Sequence, residues 1–141
     1  MSIAESIRLP YPTNRTGKGP ILFFETSSLV VEYDYERDEG GFEWTQLKFY
    51  EVLAYEYRQN VCCQAEQILE SQTIQSYSAT DWLSEIQGLW KEAVGWQEWQ
   101  NKQGGEKRFK QYRIFFDNAG CLDVIASSFD AESCGSSASL Q

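Results

Sequence analysis

Residues 108–129, RFKQYRIFFDNAGCLDVIASSF, decide the fold. Two runs rich in aromatic and β-branched residues flank Asp117-Asn118-Ala119-Gly120, the composition of a tight reversal between antiparallel strands. With Asn118 and Ala119 in a type I turn and Gly120 in the left-handed conformation that a Cβ would resist, the loop closes as three residues with a G1 bulge. That turn places Asp117 opposite Cys121, Phe116 opposite Leu122, Ile114 opposite Val124 and Tyr112 opposite Ala126. Tyr112, Ile114, Phe116, Leu122, Val124 and Ala126 then share one apolar face, and a slip of one residue would scatter it. The other face carries Arg113, Phe115, Asp123 and Ile125, with Arg113 and Asp123 within diagonal reach.

Working outward, residues 31–36 alternate strictly, with Val31, Tyr33 and Tyr35 predicted inward and Glu32, Asp34 and Glu36 outward. Ile21-Leu22-Phe23-Phe24 reads as a preceding strand and residues 37–41 as the following turn. Residues 42–58 continue antiparallel but are long for one strand. Their alternation fails at Glu51, which predicts a bulge near Tyr50 or Glu51 or a break into two strands. Residues 59–77 are Gln-rich and compatible with a short helix or one more strand. Residues 78–96 carry the one helical pattern, with Ser78 as N-cap, Asp81 three residues on, and a stripe through Trp82 or Leu83, Ile86, Leu89 or Trp90, and Ala93.

The ends differ from this middle. Residues 1–20 hold all three prolines and read as a surface arm in which Ile7, Leu9 and Tyr11 could add an edge strand. Residues 130–141, DAESCGSSASLQ, are small and polar, and are expected to be a flexible tail. The expectation is one domain over residues 1–129: mainly β or α+β, six to eight antiparallel strands in a sandwich or partly closed barrel, with one amphipathic helix packed across it.

Composition excludes more chemistry than it offers. The 141 residues contain no histidine, which removes imidazole-based nucleophiles, bases and most catalytic zinc sites. No glycine-rich phosphate loop is present, since Gly17-Lys18-Gly19 lacks its strand and helix, and Asp117-Asn118-Ala119-Gly120 lacks the acidic ligands of a calcium loop. No catalytic motif stands out, no cofactor is implied, and a non-enzymatic role is expected. A net charge of -9 argues against nucleic acid and for a basic protein partner. No stretch is long and apolar enough for a bilayer, and Glu5 and Arg8 interrupt any signal-peptide core, so a cytoplasmic location is expected. Cys62, Cys63, Cys121 and Cys134 would there be reduced thiols, buried or inert, with no CxxC among them and Cys134 the most exposed.

Two groups remain as candidates for contact. Glu32, Asp34 and Glu36 on one strand face, with Asp38, Glu39 and Glu43 around the turn, form an acidic surface suited to a basic partner; the competing reading is a solvated face that protects a strand edge. Trp96 and Trp99 lie beyond the helix stop and suit an exposed contact. A small-ligand protein, with Phe49, Tyr55, Tyr112 and Phe116 lining an aromatic pocket, is the alternative. The run FKQYRIFFDNAGCLDVIA (residues 109–126), with the strand at 44–57, resembles short acidic bacterial proteins, some of immunity type. That resemblance implies an interaction role rather than an enzyme.

Overall fold

The computed structural model describes residues 4–14, 16–69, 72–94 and 109–136. Among them the chain forms β1 (Ala4–Arg8), β2 (Ile21–Glu25), β3 (Ser28–Glu36), β4 (Phe42–Tyr50), β5 (Ala54–Gln59), β6 (Thr73–Tyr77), α1 (Asp81–Val94), β7 (Lys110–Phe116), β8 (Gly120–Ala126) and β9 (Ser128–Ser136). They build two sheets, β1-β6-β7-β8-β5 and β2-β3-β4-β9, with every pairing antiparallel. The expected mainly-β fold is present, as a two-sheet sandwich rather than a closed barrel, with nine strands and one α-helix among the described residues.

The core lies between the sheets. Leu29, Val31, Tyr33, Leu47 and Phe49 from the four-stranded sheet meet Ile74, Tyr112, Ile114, Phe116, Leu122, Val124 and Ala126 from the five-stranded one. All six residues expected on the inner face of the β7–β8 hairpin are there, although the pairing differs by two residues. Phe116 faces Gly120, Ile114 faces Leu122 and Tyr112 faces Val124. The turn is closed by the Ala119 amide donating to the Phe116 carbonyl at 3.1 Å, one residue earlier than anticipated, with Gly120 at φ 140. A shift of two preserves the pleat, so the face survives while each partner changes. It also brings Arg113 directly opposite Asp123 rather than diagonal to it.

Residues 42–58 do break into two strands, and the break changes sheet. Glu51 adopts φ 52 between β4 and β5, so Leu47 and Phe49 enter the core while Tyr55 and Tyr57 are exposed. Residues 59–77 contain both of the alternatives considered: two 3-10 turns, Asn60–Cys62 and Ala65–Gln67, then β6. The alternating Ile7 does belong to an edge strand, β1, paired with β6.

Three expectations require correction. Residues 130–136 are not tail but the greater part of β9, pairing with β4 along its length; a polar composition suffices for an edge strand whose stability comes from backbone pairing and from Phe129 and Ala131 packed on the core. Residues 137–141 lie outside the described residues. The helix cap is Thr80 rather than Ser78, because the Leu83 amide donates to Thr80 Oγ1 at 3.0 Å. Asp34, expected to face outward, is buried, as described below.

The helix packs on the outer face of the five-stranded sheet. Leu83, with Trp82, Ile86 and Trp90, covers Phe109, Ile125 and Leu53, and the Trp90 and Phe109 rings meet edge-on at 5.4 Å. Trp82 and Trp90 are therefore packing residues. Thr80 Oγ1 also donates to Gln111 Oε1 at 2.6 Å, which ties the helix start to β7. Thr80→Ala is expected to lower stability by about 1 kcal/mol or somewhat more, whereas Ser78→Ala should change it by less than about 0.5 kcal/mol. Urea denaturation of both variants checks this; equal effects would reassign the cap.

Candidate functional site

Strand β3 ends where its register with β4 sets Tyr35 opposite Glu43 and Glu36 opposite Phe42. Arg37, Asp38, Glu39 and Gly40 make the reversal, with the Gly40 amide donating to the Arg37 carbonyl at 3.0 Å and both Gly40 and Gly41 at positive φ. Beside this turn runs the N-terminal arm, whose Tyr11 ring stacks on Tyr35 with centroids 4.6 Å apart. Between turn and arm lies an open cleft of about 570 Å³, lined by Pro12, Asn14, Gln72, Tyr35, Arg37 and the carboxylates of Glu36, Asp38, Glu39 and Glu43. Four carboxylates and one guanidinium thus line the same cleft.

Within the cleft Glu43 is held from two sides. The Tyr35 hydroxyl donates to Glu43 Oε2 at 2.9 Å, and Arg37 Nη1 donates to Glu43 Oε1 at 3.1 Å. Arg37 also approaches Glu39 at 3.9 Å, a partly exposed pair worth less than about 1 kcal/mol. Glu36, Asp38 and Glu39 are exposed, so their charge projects into solvent around the mouth.

The six acidic candidates are divided by this geometry. Glu36, Asp38, Glu39 and Glu43 converge on the cleft. Glu32 lies farther along β3, half-buried, and desolvation raises its carboxyl above the usual range. Asp34 is 3% exposed and is no contact residue. The Gly17, Lys18 and Gly19 amides all donate to its carboxylate at 2.8 to 2.9 Å, so it clasps the arm onto the sheet. Outward position on the strand was read correctly; the arm that covers that position was not foreseen. Gly19 permits the approach, because a Cβ there would stand 2.7 Å from Tyr33 Cα. Trp96 and Trp99 lie outside the described residues.

Among the cleft residues that sequence reasoning missed are Tyr35 and Arg37, with Tyr11 stacked on Tyr35 beside them. The signal for Tyr35 was available, since fixing the turn at residues 37–41 sets it opposite Glu43. The four residues of the alternative pocket do not converge: Phe49, Tyr112 and Phe116 pack in the core, with Phe49 and Tyr112 rings 5.7 Å apart, and Tyr55 is exposed.

Burial, reinforced by the hydrogen bond to Glu43, raises the Tyr35 phenol well above its usual range, and burial alone is the main cause for Tyr33 and Tyr112. A phenol raised on folding contributes stability that is complete below the unfolded value of about 10 and is lost as pH climbs through the folded value. The hydrogen bond to Asp130 raises the partly exposed Tyr50 phenol as well, whereas Tyr33, Tyr35 and Tyr112, raised chiefly by burial, are expected to ionise late and together with alkaline unfolding. Tyrosinate absorbance followed against circular dichroism checks it; eight phenols ionising together in an intact fold would contradict it.

Among the described residues no group of three or more cysteines and carboxylates is placed to hold a metal ion, and no helix is long and apolar enough to cross a membrane. What fold and site together define is a two-sheet antiparallel sandwich with an acidic cleft at one end. Compared with known proteins, the chain matches no family model, no curated protein and no solved structure.

Proposed function

We propose that the protein is a non-enzymatic interaction module of the cytoplasm, of immunity type, that engages a basic protein partner through the cleft between the N-terminal arm and the β3–β4 turn. The observation that supports this reading is the convergence of Glu36, Asp38, Glu39 and Glu43 on one open concavity with a stacked tyrosine pair beside it. A flexible cationic side chain would find there both carboxylates and an aromatic ring, the surroundings that retain guanidinium and ammonium groups. Exposed charge at the rim acts chiefly on encounter rate, so association should be fast at low ionic strength and slow as salt is added.

Affinity capture from the native cytoplasm at low and at high salt tests it. Recovery of one basic protein at low salt and its loss at high salt is the expected result. Recovery of acidic or neutral proteins irrespective of salt would overturn the reading.

A further inference from the structure

Cys121 lies in β8 on the outer face of the five-stranded sheet, 1% exposed, paired in register with Arg58 of β5. The chain leaving β5 makes the 3-10 turn Asn60–Cys62, and the Cys63 amide closes it on the Asn60 carbonyl at 3.3 Å. That turn folds back over the sheet and sets Cys63 Sγ 2.6 Å from Cys121 Sγ, although 58 positions separate them in sequence. Both thiols also reach the Arg58 carbonyl. Two non-bonded sulfurs do not rest comfortably at this separation. Nor can a metal ion sit between them, because ligand bonds of about 2.3 Å in a tetrahedral site hold sulfurs roughly 3.7 Å apart. Cys62, the immediate neighbour, is exposed.

We propose that Cys63 and Cys121 are a redox-closable pair that forms an intramolecular disulfide when the folded protein meets a low-molecular-weight disulfide, Cys63 being the entry thiol and Cys121 the resolving one. Accessibility orders the steps: Cys63 is half-buried and Cys121 fully so. The Cys63 thiolate, its proton released to solvent, attacks one sulfur of RS–SR; a Cys63–S bond forms and RS⁻ departs. Cys121, losing its own proton, then attacks the Cys63 sulfur and displaces the second RS⁻. The two leaving thiolates take up the two protons. Overall two protein thiols lose two electrons and one small disulfide becomes two thiols. Burial, with the hydrogen bond to Cys63 second, pushes the Cys121 thiol up to about 12, in keeping with its acting last. Closure pins the segment that carries Gln67, which donates to the buried Asp123 carboxylate at 2.9 Å, onto the sheet. This inference stands apart from the acidic cleft and does not depend on it.

The test is incubation of the full-length folded protein with oxidised glutathione, followed by thiol counting after denaturation and intact-mass measurement. Wild type is expected to fall from four thiols to two with no glutathione retained, no dimer formed, a higher melting temperature, and full reversal by dithiothreitol. Cys62→Ser and Cys134→Ser should still lose two thiols, and Cys63→Ser should lose none to an internal bond. Cys121→Ser should retain one glutathione on Cys63. Should Cys121→Ser not fold, the wild-type count and Cys63→Ser decide the matter alone. Four surviving thiols in wild type, or an internal bond persisting in Cys63→Ser, would overturn the proposal.

Discussion

Asp123→Ala is expected to cost the fold about 3 to 5 kcal/mol, the range for removing one partner of a buried ion pair. Asp123 is 4% exposed and accepts from three side chains: Arg113 Nε at 2.7 Å, Gln111 Nε2 at 3.1 Å and Gln67 Nε2 at 2.9 Å. Arg113 is itself largely enclosed, lying over the Tyr77 ring with 5.1 Å from its guanidinium carbon to the centroid. Removing the carboxylate strands that cation and two amides away from water. The cost arises from what is left behind rather than from what the pair contributed. The double variant Asp123→Leu/Arg113→Met should therefore recover a large part of the loss, since it removes both charges. Guanidinium denaturation of the three proteins checks this. A single-variant loss below about 1 kcal/mol would mean that water reaches the site freely.

Gly120→Ala is expected to be of similar severity, at about 3 kcal/mol or more, by the combination of backbone strain and overpacking. Gly120 sits at φ 140, where side chains are disfavoured, and an added Cβ would stand 2.0 Å from the Arg58 carbonyl oxygen. That oxygen belongs to the neighbouring strand, so relief requires moving β5 away from β8. The consequence extends to the thiol pair, because the chain leaving β5 is what carries Cys63. Thermal melting should fall sharply and the glutathione-driven loss of thiols should slow in this variant. A melting temperature close to wild type would show that the hairpin can re-register around the extra methyl group.

Both residues illustrate what could be read in the sequence. Gly120 was legible because turn chemistry is local: Asp-Asn-Ala-Gly between two β-rich runs needs a left-handed residue, and only glycine takes it freely. The inner face of the hairpin was legible for the same reason, as parity survives a shift of two residues. The Arg113 and Asp123 pairing was anticipated, but not its burial, because the cover comes from Gln67 and from the helix start at Thr80, which sequence spacing does not bring near. Asp34 teaches the same point. Alternation placed it outward correctly, yet Gly17, Lys18 and Gly19 arrive from an irregular arm whose course no periodicity encodes. The β9 strand was missed because an edge strand needs few apolar residues. Of the acidic candidates, those next to the turn converged since a turn gathers its neighbours; those farther along β3 did not.

Charge reversal at the cleft rim tests the central claim most directly. Asp34 is unsuitable for it, since its loss would release the arm, whereas Glu36, Asp38 and Glu39 are exposed and can be changed without disturbing the core. The triple variant Glu36→Lys/Asp38→Lys/Glu39→Lys should keep the wild-type melting curve and, in parallel capture at low salt, lose the basic partner, with an association rate reduced by roughly ten- to a hundredfold. Undiminished capture by a folded triple variant would contradict the assignment of this cleft as the interaction site.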